Sequence, residues 1–321
     1  MLAYLVRRLA YGALTVQGVL LLLFVLFFLY ATPTQMARRA VGEKAPPEVL
    51  EQWIVNHGYD RPRVWNPGDP GRTLLADHFR RMLSFDFGRS DADDSPIVDR
   101  LRQGAVPSLT VTLPLFAAGL AIGISLSLFV AYFRETYIDR AGVVLCVLGM
   151  SLSILLYIIA GQFLLGKLLR WFPISGFDPQ PGMIARFLAI PWIVGLVSAL
   201  GGEVRFYRTV FVEETGRDYV RTARAKGCGE GRIMWGHVLR NAMIPILTHT
   251  VLAIPFLFTG ALLLESFFGI PGLGAITVDA IQGNDFSTLR TMVYIGSLLF
   301  ILGQILTDVS YSLADPRVRL G

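Results

Sequence analysis

Apolar residues in this chain gather into long runs, not into the alternation of half-buried strands or the stripes of surface helices. The runs lie at Leu9–Ala31 and at residues 107–133, 141–165, 184–204, 242–268 and 289–313. At ~1.5 Å of rise per residue each spans roughly 30 Å, the thickness of the bilayer's hydrocarbon core. The pattern predicts an all-α integral membrane protein with about six transmembrane helices. The fourth run carries Pro191 and the fifth Pro245 and Pro255, which membrane helices tolerate because neighbours satisfy the freed backbone groups. The first run follows Arg7 and Arg8, exceeds the ~7–15 residues of a signal-peptide core, and is expected to be a retained span occupying residues 1–31.

Residues 32–105 break the pattern. They hold eleven of the 29 Lys and Arg residues and turn signals at Pro46-Pro47 and Asn66-Pro67-Gly68. Short amphipathic helices are expected at Pro47–Trp53 and Leu74–Leu83 within an extramembrane insertion, and residues 106–321 then form a core of five spans. With the N-terminus inside, fourteen Lys and Arg residues fall in the inside segments, eight of them between Arg205 and Arg240. The short outside loops hold Lys167 and Arg170, with Arg186 and Arg290 at span edges. The excess of inside cations predicts an N-in, C-in topology that makes the insertion periplasmic.

Composition strengthens this reading. The chain is 53% hydrophobic and 17% charged, against roughly 45–50% and 25% for soluble domains. Its mean hydropathy is +0.54. Cys146 and Cys228 lie in unlike settings, so no disulfide framework is expected. The net charge of +5 is concentrated in loops and calls for no nucleic acid.

The segment 212–241, placed on the cytoplasmic side, is the most informative. From Asp218 to Lys226 it favours helix, and Gly227 suits the left-handed position that ends one. A second helix then leads into the fifth run. This predicts a helix–turn–helix elbow, basic on one side, with small Ala223 and Ala225 at the bend. A loop that only held topology would need the charge but not the glycine stop.

The run Asp218-Tyr219-Val220-Arg221-Thr222-Ala223-Arg224-Ala225-Lys226-Gly227, with His237-Val238-Leu239-Arg240-Asn241-Ala242 and Pro245 beyond it, resembles the cytoplasmic loop of ABC-importer permeases of the oligopeptide, dipeptide and nickel class. The general family pattern is Glu-Ala-Ala, three residues, Gly, nine residues, Ile-x-Leu-Pro. Aligned on Gly227, the chain keeps Ala223 and Leu239 but has Arg221, Thr222, His237 and Arg240 at the other positions. The later proline, Pro245, is typical of the peptide class. The resemblance extends through Tyr4–Leu9, Phe85–Ser90, Pro107–Thr110, Phe172–Gly176, Pro271–Gly274 and Asp315–Leu320. It departs at Ala31–Gln35, where Ala-Pro-Gly-Asp-Pro is usual, and at Leu152-Ser153-Ile154, where Leu-Pro-Ser or Leu-Pro-Ala is common.

The resemblance implies a bacterial inner-membrane, multi-pass permease that forms half of a pore for peptides or peptide-like solutes. Its implied partners are a second homologous permease, two ATPase subunits and an extracytoplasmic substrate-binding protein, all in membrane lipid. The elbow would couple to the ATPase through Tyr219, Arg221, Thr222, Ala223, Arg224, Ala225, Lys226, Gly227 and Arg232. The chain itself carries no cofactor; ATP and Mg belong to the ATPase subunits. The alternative from another class is an ATP-independent secondary transporter or channel, which would predict internal symmetry and midplane charges.

Other constellations are weaker. Gly161–Lys167 matches the start of a phosphate-binding loop, but Leu168 stands where Ser or Thr is needed and no strand precedes it. Asp91, Asp93 and Asp94 begin like a calcium loop without its Gly or final Glu, so a solvated loop is expected. No nucleophile–base pair or ligand-spaced histidines appear, and the chain is not read as an enzyme. Gly119 and Gly123 allow close helix packing. Ionisable or polar residues in spans are pore or gate candidates: Glu265, Gln162 and Asp308.

Overall fold

The computed structural model describes residues 2–30, 32–69, 71–180 and 182–314, with side chains for all of these except 2–5, Ala40 and 308–314. Among the described residues the architecture is helical. Five helices are long and apolar enough to cross a membrane, or six if one bent pair is a single span.

The first is α1 (Leu2–Phe24), continued by a π-helical turn at Val25–Tyr30. The insertion then forms α2 (Pro33–Val41), α3 (Pro47–Asn56) and α4 (Leu74–Leu83). Local chemistry starts each of them. Thr32 accepts from Gln35 N while Gln35 reaches back to Thr32 N, closing a capping box ahead of α2. Thr73 accepts from Ala76 N to start α4. The insertion also packs on the bundle. Met82 and Phe87 join Leu20 and Leu23 of α1, and Leu74 and Tyr59 join Phe24 and Phe28.

The second apolar run becomes α5 (Ile97–Tyr132), which starts well before residue 107. Fully buried Ile97 and the preceding Pro96 extend the helix into the insertion, and Pro107 and Pro114 sit inside it. At ~1.5 Å per residue its 36 residues reach roughly 54 Å, beyond the bilayer core.

The third run is not one straight span. It divides into α6 (Tyr137–Ser151) and α7 (Ile154–Gly161), with a π-helical continuation Gln162–Leu168, and the two halves meet at 91°. Ser153 is the corner: its hydroxyl accepts from Leu155 N and starts α7 afresh. Hydropathy did not expose the break because both halves are apolar.

α8 (Ile184–Thr215) runs along α5 and also meets α6. Gly123 allows the first contact, since a Cβ there would lie 3.3 Å from Glu203 Cβ and 3.5 Å from the Tyr207 ring; a Cβ at Gly119 would meet open space. The elbow helix α9 (Asp218–Ala225) and a short turn α10 (Glu230–Arg232) lead through a π-helical turn, Ile233–Val238, into α11 (Leu239–Thr259). α11 packs along α14 (Phe286–Ala314), and between them lie α12 (Leu262–Phe268) and α13 (Leu273–Gln282). The helix is interrupted at Gly260, whose φ of 79° suits glycine, but the fifth run still forms one membrane-length segment, Glu230–Phe268.

Candidate functional site

α9 exposes its basic face and buries the other. Val220 is fully buried and Ala223 nearly so, one helical turn apart. They enter an apolar cluster with Leu128 and Ala131 of α5, Tyr207 and Phe211 of α8, Ile233, Met234 and Val238 of the π-helical turn, and Ala242 and Ile246 of α11. Four elements thus grip the elbow. Arg221, Thr222, Arg224, Ala225, Lys226, Gly227 and Arg232 are exposed, and Tyr219 is half-buried.

The stop after α9 follows the Schellman pattern. Cys228 N donates to Ala223 O at 3.1 Å and Gly227 N to Arg224 O at 2.9 Å, with Gly227 at φ 77°. Arg224 forms a two-pronged pair with Glu230, 2.6 and 3.1 Å, which spans the turn and engages this cation within the elbow. Arg221 has only an exposed 3.6 Å pair with Asp218. Tyr219 donates to Glu214 at 2.7 Å, and burial, reinforced by that carboxylate, pushes its hydroxyl up to about 12. Upstream, Arg217 pairs with Glu213 at 3.2 Å.

The sequence profile of the binding-protein-dependent transport system inner membrane component family matches residues 123–320, which include this elbow. The chain belongs to that family. A Brucella abortus protein named as a peptide transport system permease is 30% identical over 323 residues, spanning 99% of each chain. The glutathione transport system permease protein GsiC of Salmonella choleraesuis is 31% identical over 330 residues, again 99% of each. Its namesake in Pectobacterium atrosepticum is 31% identical over 331 residues. The protein is therefore a multi-pass permease subunit of the inner membrane, and its relatives are transport components, not enzymes. A binding-protein-dependent system implies a substrate-binding protein and ATPase partners.

Elsewhere in the permease, Glu265 of α12 is fully buried and its acceptors are occupied. Oε1 accepts from Ser108 Oγ (2.8 Å) and Ala261 N (2.9 Å), and Oε2 from Gly274 N (2.7 Å) and Ala275 N (3.2 Å). Ser108 Oγ also accepts from Leu273 N at 2.7 Å. This carboxylate ties α5 and α12 to the N-terminus of α13, where exposed backbone N–H groups favour negative charge. It also explains Pro271-Gly272-Leu273-Gly274: a Cβ on Gly272 or Gly274 would collide with Glu265. Gln162 donates to Phe267 O (3.1 Å) and Ile174 O (3.3 Å), bracing the π-helical turn after α7. The side chain of Asp308 and the Asp315–Leu320 motif lie outside the described residues.

Two groups of residues were missed from sequence. Glu203 of α8 and His249 of α11 approach to 3.8 Å inside the bundle, with Tyr207 OH 3.4 Å from His249 Nδ1. Ionisable residues in apolar helices were the available signal. The second group corrects the solvated acidic loop expected at 91–94. Asp91 is buried, accepting from Ser287 N (2.8 Å) and Ser287 Oγ (2.9 Å), and burial pushes its carboxyl above the usual range. Asp285, also buried, accepts from Ser90 Oγ (2.6 Å), Asp91 N (3.0 Å), Thr288 Oγ1 (2.6 Å) and Arg100 (3.1 Å). Both carboxylates serve the N-terminus of α14 and stitch the insertion to it. Asp93 does stay exposed; hydrogen bonds from Ser90 and Ser95 hold it down at about 2.

Proposed function

We propose that the permease forms half of a translocation pore for peptides or peptide-like solutes, as the names of its relatives suggest, and pairs with a second homologous permease. Residues 212–241 lie at the cytoplasmic face, and each elbow inserts into a cleft on one of two ATPase subunits that carry ATP and Mg. The insertion lies on the opposite side, where the substrate-binding protein docks. The observation that carries this reading is the two-faced elbow: Val220 and Ala223 are gripped by α5, α8 and α11, while Lys226 and Arg221, the latter with only an exposed 3.6 Å pair to Asp218, face outward towards an acidic partner. A push on the exposed face reaches three spans through close-packed side chains. Glu265 acts as a clamp between spans that keeps α12 and α13 together during that motion.

The test is co-purification after mild solubilisation, comparing the wild type with Arg221→Glu/Lys226→Glu. Wild type is expected to retain the ATPase subunits and the variant to lose them while keeping the second permease. Wild type purifying alone and moving solute in liposomes without ATP would overturn the reading in favour of a secondary transporter.

A further inference from the structure

Two membrane spans end beside each other at the foot of the insertion. The first, Val6–Tyr30, has 25 residues and the last, Phe286–Thr307, has 22. At ~1.5 Å per residue they reach roughly 37 and 33 Å, so Tyr30 and Phe286 stand at the edge of a ~30 Å hydrocarbon core. α2 starts three positions after Tyr30, and its Arg39 lies over the Phe286 ring, 5.9 Å from the centroid. The two span ends together place this guanidinium at the depth of the lipid headgroups.

A cavity of about 50 Å³ opens at this corner, lined by Tyr30, Gln35, Met36, Arg39 and Phe286. Its polar side chains can all donate: the Tyr30 hydroxyl, the Gln35 amide and the Arg39 guanidinium. Gln35 Oε1 already accepts from Thr32 N, which leaves its NH2 group uncommitted. No carboxylate lines the cavity, and Arg39 makes no hydrogen bond or ion pair among the described residues. Arg38 beside it is likewise without an ion pair, and α2 contains no acid. The nearest acid along the chain, Glu43, pairs with neither arginine. All three donor residues are open to the surroundings, Tyr30 to 87%. From the same corner an apolar track runs back along the first span, where Leu29, Leu26 and Leu22 are exposed.

We infer that this corner holds the headgroup of an anionic phospholipid. The phosphate accepts from Arg39, Gln35 and Tyr30, and Arg38 adds attraction for the net negative charge. One acyl chain follows Leu29, Leu26 and Leu22 into the bilayer. That track selects a lipid over a soluble phosphate, which would meet the donors and leave the leucines uncovered. The assignment uses none of the elbow residues and stands apart from the coupling to the ATPases.

Native mass spectrometry of the detergent-purified full-length permease, titrated with dioleoylphosphatidylglycerol or dioleoylphosphatidylcholine, tests it. Wild type is expected to hold one phosphatidylglycerol roughly fivefold or more tightly than phosphatidylcholine. Arg39→Gln should remove most of that preference, whereas Arg39→Lys keeps the charge and part of the affinity. Arg72→Gln, at an exposed cation of the insertion that does not line this cavity, should leave the preference unchanged. Glycerol phosphate at the lipid's concentration should not displace it. Circular dichroism and gel filtration verify that the variants are folded; if Arg39→Gln is not, the two lipids and the glycerol phosphate competition on wild type decide. Equal retention of both lipids, a preference surviving in folded Arg39→Gln, an equal loss in Arg72→Gln, or displacement by glycerol phosphate would each overturn the assignment. So would a dimer of the permease that binds no phosphatidylglycerol, because a second copy would then cover this corner.

Discussion

At the elbow end, Val220 and Ala223 turn onto an apolar cluster while Arg221, Lys226 and Arg232 face outward; at the insertion end, Asp91 and Asp285 lie inside and meet hydroxyls, backbone N–H groups and Arg100. Both regions tie a polar segment to long apolar helices, by opposite means. Apolar contact is non-directional, so the elbow can shift with its helices while remaining seated. Hydrogen bonds to buried carboxylates demand distance and angle, so the insertion has one seating on α14. The contrast suits the proposed coupling role of the elbow and an insertion held in one place on α14.

The comparison breaks most visibly at Asp285. Its replacement by Ala leaves Arg100, Ser90 and the first turn of α14 without their shared acceptor, and breaking such buried pairs costs about 3–5 kcal/mol. Thermal unfolding in detergent should fall accordingly, with proteolysis appearing first in residues 32–96. Unfolding at the wild-type temperature would mean that the network does not seat the insertion.

Acid should separate the two ends next. His78 is held at about 4 against its ordinary 6.5, so between these values the unfolded chain binds more protons than the folded one. Stability present above pH 6.5 is therefore lost as pH falls towards 4, by on the order of 3 kcal/mol. Proteolytic protection of the insertion should weaken over this window while the elbow's does not. His78→Gln, which retains a donor for Leu20 O and does not titrate, should flatten the profile; an unchanged profile would assign the acid effect elsewhere.

A smaller effect is expected at the elbow. Val220→Ala removes methyl groups from a fully buried site and should cost roughly 2 kcal/mol. Arg221→Glu/Lys226→Glu should change stability by less than about 0.5 kcal/mol, because both side chains are exposed. If Val220→Ala retains the ATPases but lowers their coupling to transport, while the charge reversal loses them, anchoring and docking belong to the two faces of one helix.

Much of this was legible because it is local. The spans at both ends of the chain, α3, α4 and the Gly227 stop follow from hydropathy, capping and turn chemistry within a few residues. The 91° corner at Ser153 was not legible, since the runs on both sides are equally apolar and only the serine marks it. The extension of α5 to Ile97 depends on burial against the insertion, which hydropathy does not report. Asp91 read as a solvated acid because its partner Ser287 lies 196 positions away. Glu203 and His249 stand on different spans and look unremarkable one at a time.

What the sequence by itself determined is the solvent of each segment, the order of helices and the elbow between the fourth and fifth apolar runs, because hydrophobic length, caps and glycine stops act over neighbouring residues. Only the tertiary structure decided which charges became buried. Glu265 gained its four donors, Asp285 its hydroxyls, and Arg290 its place against the Phe28 ring within reach of the charge on Asp91. A charge is tolerated or stranded according to what folding brings against it, and those partners come from distant parts of the chain.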